Sequence, residues 1–446
     1  MDNFSVIGEP EVEGGGDGGA RRRRKGRVIA AVCLTLVAAL HHGIAGKEDA
    51  LRKMGKIVRQ RRARMGSVGR GKKRERAFNV VDFGAIGDGK TDSTSSFLKA
   101  WNAACNSIVP DATMVVPPGI FLVRYITFTG PCKSNNTELF IFGTIIAPDD
   151  YKFIGSDQFW IVFYRVNWLS IYGGTLDAKG SSLWACKSAG NDCPFGARSI
   201  TFQSCSYVLV SGLKSINSQR IHISINQCSN MTLRKLVIIA PSRSPNTDGI
   251  HIESSTGITI SNSSIGTGDD CISIGPGSKS LLMDQIACGP GHGISIGSLG
   301  RTAIEDGVQD VNVTNSIFTM TQNGVRVKSF PTASDGYAKN LLFKNLIMQN
   351  ASNPMIIDQD YCPHGTCSQK NSAVKVSQVT FENITGTSWT RKAFTLRCSS
   401  TSPCDGIQLK DIDLHYVDHW TNPTQSDCEN AQVSFIGYVF PYNRCL

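Results

Sequence analysis

A degenerate repeat is the feature that most limits what this chain can fold into. A short alternating segment keeps returning: LFIFGTII from Leu139, LSIYGGTL from Leu169, VLVSGLKSI from Val208, MTLRKLVII from Met231 and ITISNSSI from Ile258. It continues as VNVTNSIF from Val311, LLFKNLIM from Leu341, VTFENIT from Val379 and IQLKDIDL from Ile407, with a weaker copy, LLMDQIAC, around Gln285. The copies align on Gly143, Gly173, Gly212, Lys235, Asn262, Gln285, Asn315, Asn345, Asn383 and Asp411, at steps of 23 to 39 residues. Periods of about 20–50 residues mark stacked architectures. A helical solenoid would need a 3.6-residue apolar period, which these segments lack. A propeller needs four strands in each blade of about 40 residues, and the short steps cannot hold them. A β-sandwich of short strands would show no near-constant period. A parallel β-helix fits, because short strands recur once per coil and variable loops absorb the differences in length. The expected fold is therefore all-β, a single-stranded parallel β-helix of about ten coils.

Such a stack needs a cover over its first strands, since an open edge invites strand addition. Thr91–Ala104 (TDSTSSFLKAWNAA) combines helix-start residues with apolar positions at helical spacing, and is expected to be an N-terminal capping helix.

The formal charge of +10 does not belong to this repeat. Residues 1–76 hold 19 Lys and Arg against 8 Asp and Glu, which leaves 27 against 28 for residues 77–446. No basic run in the body reads as a nucleic-acid face. Residues 1–46 carry Arg21–Arg24, Lys25 and Arg27, then the apolar run Val28–Leu40 and small residues ending in Ala45-Gly46. A cationic flank, a short apolar core and a small-residue exit describe a secretory signal. The run falls short of the roughly 20 residues of a membrane span, but its long leader also allows a signal-anchor, the one route by which this chain would meet a membrane. Residues 47–76 are basic without a core pattern, and read as a disordered or removable pro-segment. Fourteen of the 15 cysteines lie in the body. The close pairs Cys186/Cys193, Cys362/Cys367 and Cys398/Cys404 suit local disulfides in an oxidising compartment. Sequons at Asn135, Asn230, Asn262, Asn312, Asn350 and Asn383 are compatible with secretion. No CxxC and no finger-like Cys/His spacing points to zinc.

The repeat makes spacing along the chain informative, because residues about one coil apart lie above one another. Asp248 stands in SPNTDGIHI, and Asp269 and Asp270 follow in GTGDDCISIG. His292 comes next, in CGPGHGISIGS, then Arg326 and Lys328 in NGVRVKSF. Alternation turns Arg326 and Lys328 to one side of a strand. Asp269 and Asp270 need an irregular backbone to converge, which Gly266 and Gly268 permit. Each motif alone has a plain alternative: an Asp-Gly turn, a calcium ligand, a loop histidine, a solvated cationic strand. Their order at successive coil intervals is what points to one site. Glycoside hydrolysis needs two carboxyl functions, crowded carboxylates keep one another protonated, and nearby cations would hold an anionic sugar.

NTDG, GDDC, GHGISIGS and RVK, in this order, resemble the signature of family 28 glycosidases, the polygalacturonases. NVVDFGAIGDGKTDST also resembles the first coil of that family, its plant members above all, so the resemblance covers roughly residues 77–446. Its basic motif usually reads RIK; RVK here keeps both cations. The resemblance implies a right-handed parallel β-helix and hydrolysis of polygalacturonate in pectin by single displacement with inversion. It assigns Asp269 as proton donor, Asp248 and Asp270 as the pair that activates water, and His292 as support for the acid. It places Arg326, Lys328 and Tyr361 in the substrate subsite, has Asn246 shape the site and bind sugar, and pairs Cys271 with Cys288. It implies no metal and no organic cofactor, a monomer, and a secreted cell-wall location. Both Arg326 and Lys328 favour galacturonate over the rhamnogalacturonan or xylogalacturonan substrates of related enzymes, and a calcium-dependent lyase would not need the GDD and GHG pairing. Endo or exo attack is not legible from spacing.

Overall fold

In a computed structural model of the chain, residues 77–109, 111–363, 365–367, 371–418 and 423–442 are described. The leader and the basic segment at residues 1–76 lie outside them.

The described residues form a coil of parallel strands. One eleven-stranded sheet runs from Ile126–Thr129 to Gln425–Glu429, and a nineteen-stranded sheet curls around the remaining sides. The register is set by identical inward positions. Ile161, Ile200, Ile223, Ile250, Ile272, Ile294, Val325, Met355 and Phe394 are paired rung upon rung in the eleven-stranded sheet. All of them are buried. Phe202, Ile225, Ile252, Ile274, Ile296, Val327, Ile357 and Leu396 form a second such column. Period-2 alternation buries every second side chain, and each buried Ile contributes about 1.5–3 kcal/mol. A slip of one residue would turn the whole column to solvent, so the stacking order of the intervening outward residues is fixed as well.

The residues on which the repeat copies align have a structural meaning. Gly173, Lys235, Asn262, Gln285, Asn315, Asn345, Asn383 and Asp411 all adopt left-handed backbone, with φ between +48° and +68°. Each turns a corner of its coil. Asn and Asp tolerate this conformation better than other side-chain-bearing residues, which is why they recur there. Consecutive corners also bond to each other. Asn383 Nδ2 donates to Asn345 Oδ1 at 2.9 Å, and Asn345 Nδ2 to Asn315 Oδ1 at 2.9 Å. Asn315 Nδ2 donates to Asp284 Oδ1 at 2.7 Å. A second left-handed corner lies five residues earlier in each coil, at Trp168, Tyr207, Asn230, Ser280, Asp310, Asn340 and Gln378. Its residue types are more mixed, with Trp168 and Tyr207 beside Asn230 and Asn340.

The helix expected over Thr91–Ala104 spans Thr94–Cys105. Thr91 and Asp92 belong instead to the strand Asp88–Asp92. Phe97, Ala100, Trp101 and Ala104 form its buried side. The Trp101 ring packs against Phe128 and Phe163, and its Nε1 donates to the Thr129 carbonyl at 3.2 Å. Cys105 at the helix end is bonded to Cys132. The three close cysteine pairs form disulfides. Cys205 and Cys228 are free thiols, buried on adjoining coils. Among the described residues no helix is long and apolar enough to cross a membrane.

Candidate active site

The column logic continues past the strand ends. Ile250, Ile272 and Ile294 are register partners, so Asp248, Asp270 and His292, each two residues upstream, occupy one column on successive coils. Backbone bonds carry the ladder that far: Gly249 N–H donates to the Asp270 carbonyl, and Cys271 N–H to the Gly293 carbonyl. Coils are spaced about 4.8 Å apart, so the carboxylates of Asp248 and Asp270 are forced near one another by the fold itself.

Asp269 joins them through an irregular turn, Thr267–Cys271, that separates two strands. Gly268 passes so close to the Ser244 carbonyl that no Cβ would fit, and its N–H donates to Thr247 Oγ1 at 3.0 Å. Gly293, at φ +85°, likewise lies against the Asn323 carbonyl, leaving no room for a Cβ. These glycines bring the two loops together, and His292 N–H donates to the Asp269 carbonyl at 2.8 Å. The Cys271–Cys288 disulfide closes the loop behind them.

Each carboxylate has a different environment. Asp269 Oδ1 lies 3.0 Å from His292 Nδ1 and accepts from the Asp270 N–H at 2.8 Å. Its Oδ2 meets Asn246 Nδ2 at 3.5 Å, a marginal contact. Asp270 is almost fully enclosed. Its Oδ1 accepts from Ser295 Oγ at 2.8 Å and Arg326 Nη2 at 3.1 Å, and its Oδ2 from Lys328 Nζ at 3.0 Å. Asp248 Oδ2 accepts from Ser273 Oγ at 2.7 Å. Ser273 and Ser295 are register partners, and Ser295 pairs in turn with Arg326. One outward column thus supplies a hydroxyl to Asp248, a hydroxyl to Asp270 and a guanidinium to Asp270. These serines were legible as the alternate positions of CISIG and GISIGS, but carried no motif of their own.

The electrostatics of the cleft divide the three acids. Burial first, then the charges of Asp269 and Asp270, push the Asp248 carboxyl up to about 8. Burial also acts upward on Asp269, but the hydrogen bond and charge of His292, with the Asp270 N–H, hold it below its ordinary value. In the open cleft, therefore, the proton sits on Asp248, whereas the residue roles implied by resemblance would put it on Asp269. The difference has a physical source: His292 Nδ1, 3.0 Å from Asp269 Oδ1, favours the ionised form of that carboxyl.

Arg326 and Lys328 also differ from a simple substrate clamp. Their side chains are 11% and 9% exposed, and both point at Asp270. Tyr361 stands beside them, its ring 5.3 Å from Lys328 Nζ and 5.7 Å from the Arg326 guanidinium. Asn246, the three aspartates, Lys328 and Tyr361 all line one cleft. Arg198, Arg220, His251, Glu253 and Arg301 line it too, and none of these stood out in the sequence. Asp269, Asp270 and His292 offer three donor atoms within 4.8 Å of one another, a possible metal set. Two cations already engage Asp270, so a metal there would meet like charge.

Residues 105–436 match the glycosyl hydrolases family 28. The chain is 47% identical over 371 residues to a polygalacturonase of Prunus persica, a match that covers 83% of this chain and 93% of that protein. Two solved structures share the fold at 20% identity. The endo-xylogalacturonan hydrolase of Aspergillus tubingensis has a TM-score of 0.69 over 81% of this chain and all of that one. An exopolygalacturonase of Thermotoga maritima has a TM-score of 0.66, over 83% of this chain and 94% of its own. The coil is thus a right-handed parallel β-helix, and its carboxylate-lined cleft belongs to an enzyme that cleaves glycosidic bonds: the chain is a member of glycosyl hydrolase family 28.

Proposed function

We propose that this enzyme hydrolyses α-1,4 bonds between galacturonate units of pectic polygalacturonate, with inversion and without a metal or organic cofactor. One observation carries the reading. Asp248, Asp269 and Asp270 share a single cleft, with Asp270 fixed between Arg326 and Lys328 and Asp269 paired to His292.

Asp269 is the acid. Its Oδ1 is occupied by His292 and a backbone N–H, so Oδ2 is the oxygen left to protonate the leaving glycosidic oxygen. A sugar chain filling the cleft excludes water, and loss of water penalises a carboxylate–imidazolium pair. The carboxylate is neutralised when the proton held by Asp248 passes to Asp269 Oδ2, while Oδ1 keeps its bond to His292 Nδ1. Asp269 is then the neutral acid, and Asp248, now ionised, takes a proton from the attacking water. Asp270, already saturated by three donors, orients that water and keeps Arg326 and Lys328 at the cleft floor. Lys328 and Tyr361 hold the sugar whose carboxylate faces them, and Asn246 binds at the rim. Acid and base act on opposite faces of the sugar ring, with water between, as inversion requires.

The processing of residues 1–76 belongs to the same reading. A leader at 1–46 exports the chain, the basic segment 47–76 is removed, and residues 77–446 act as a monomer outside the cell, in the wall. Retention of the leader would instead anchor the enzyme to a membrane.

Release of reducing ends from polygalacturonate by the purified protein tests the activity. Asp269→Asn is expected to abolish it while leaving the fold intact. A variant that kept the parental rate would remove Asp269 from the acid role.

A further inference from the structure

Three guanidinium groups line the cleft away from the Arg326/Lys328 end. Among the described residues, neither Arg198 nor Arg220 has a carboxylate partner or a side-chain hydrogen bond, and Arg198 Nε is buried with nothing to donate to. Both side chains are half-buried. Arg220 lies with its guanidinium 3.7 Å from the centre of the Phe195 ring, and Arg198 lies 5.3 Å from that of Phe159. The aromatic faces hold the cations in place without neutralising them. The two arginines also disfavour each other: burial, then the charge of Arg198, lowers Arg220 to about 10. Buried donors without acceptors are costly and call for an explanation.

Register gives their position. Arg198 precedes Ile200 by two residues, as Asp248 precedes Ile250, and Ile200, Ile223 and Ile250 are successive partners. Arg198 therefore stands in the same column as Asp248 and Asp270, two coils before Asp248. Arg220 stands one coil before it. Lys328 and Arg326 reach Asp270 from the strand two coils beyond. The acids are thus flanked by cations on both sides along the coil axis, carried on backbone one or two coils away, about 5 to 10 Å.

We infer that Arg198 and Arg220 form a second carboxylate subsite, which binds a galacturonate on the N-terminal side of the bond that is cut. This rests on the polygalacturonate reading above. It makes the enzyme sensitive to a free acid on both sides of the cleavage point, since a methyl ester lacks the negative charge and the second carboxylate oxygen that a guanidinium engages. The planar guanidinium suits a carboxylate through paired hydrogen bonds, which lysine cannot reproduce.

The test compares parent, Arg220→Gln, Arg198→Gln and Arg220→Lys on de-esterified polygalacturonate and on partly methyl-esterified pectin. Each Gln variant is expected to raise KM by ~10- to 100-fold, the range for a charge-assisted hydrogen bond, with Arg220→Lys between. The gap should narrow on esterified substrate, and the rise of KM with salt should be shallower than in the parent. Removing one of two repelling cations should not lower the melting temperature. Values of KM within twofold of the parent, with the same salt dependence, would overturn the inference. An inactive parent would instead count against the hydrolase reading. In that case retardation in gels containing polygalacturonate still decides the subsite: weaker retardation of the Gln variants supports it, and equal retardation overturns it.

Discussion

Lys328 Nζ and Asp270 Oδ2 are 3.0 Å apart although 58 residues separate them in the chain. Both are nearly enclosed, so the pair sets the local charge of the cleft rather than decorating its surface. Breaking a buried pair from one side strands a charge and costs about 3–5 kcal/mol. Lys328→Met is therefore expected to lose about that much stability in urea unfolding. The double variant Asp270→Asn/Lys328→Met should recover part of it. A loss in the double variant equal to the sum of the two single-variant losses would mean that the pair is not coupled.

Asp248 gives the protein a pH signature. Its folded value of about 8 lies above the ordinary value of 3.8. Between those limits the folded state holds a proton that the unfolded state has released, so Asp248 makes stability fall as pH rises from about 4 to about 8. Below pH 4 both states are protonated and nothing is lost. Asp248→Asn removes this titration. Its unfolding free energy relative to the parent should climb across that window, by on the order of a few kcal/mol. A difference that stays constant from pH 4 to 8 would show that Asp248 ionises normally.

His292 acts through Asp269. His292→Gln should lower kcat by about 10²–10⁴-fold, the range for a lost acid–base partner. It should also shift the acidic limb of the pH profile, because the ion pair that holds Asp269 down is gone. A purely structural histidine would lower kcat without moving the profile.

A chelator separates proton chemistry from metal chemistry. The donor set of Asp269, Asp270 and His292 is already crowded by Arg326 and Lys328. Dialysis against chelator is expected to leave the hydrolysis rate unchanged. Loss of activity restored by a divalent ion would reassign these residues as ligands.

Much of this architecture was written in the chain because a coil repeats its geometry. Asn262, Asn315, Asn345 and Asn383 recur because the corner is left-handed. The corner five residues earlier was harder to see, since Asn230, Gly257, Asn340 and Gly406 share it with Trp168 and Tyr207, whose exposed rings stack 4.1 Å apart. The site residues were legible where motifs follow one another by a coil, as with Asp248, Asp270 and His292. What could not be read was pairing across coils. The engagement of both cations by Asp270, the proton on Asp248 and the open pair Arg198/Arg220 depend on burial and register, which no local pattern encodes.

The most direct measurement of the central claim is the anomeric form of the first product. Polygalacturonate incubated with the purified protein is followed by proton NMR from the earliest time points, alongside Asp269→Asn. The account predicts saturated reducing ends that appear first as the β-anomer and only later equilibrate, with no product from the variant. Initial α-anomer, unsaturated ends or parental turnover by Asp269→Asn would contradict it.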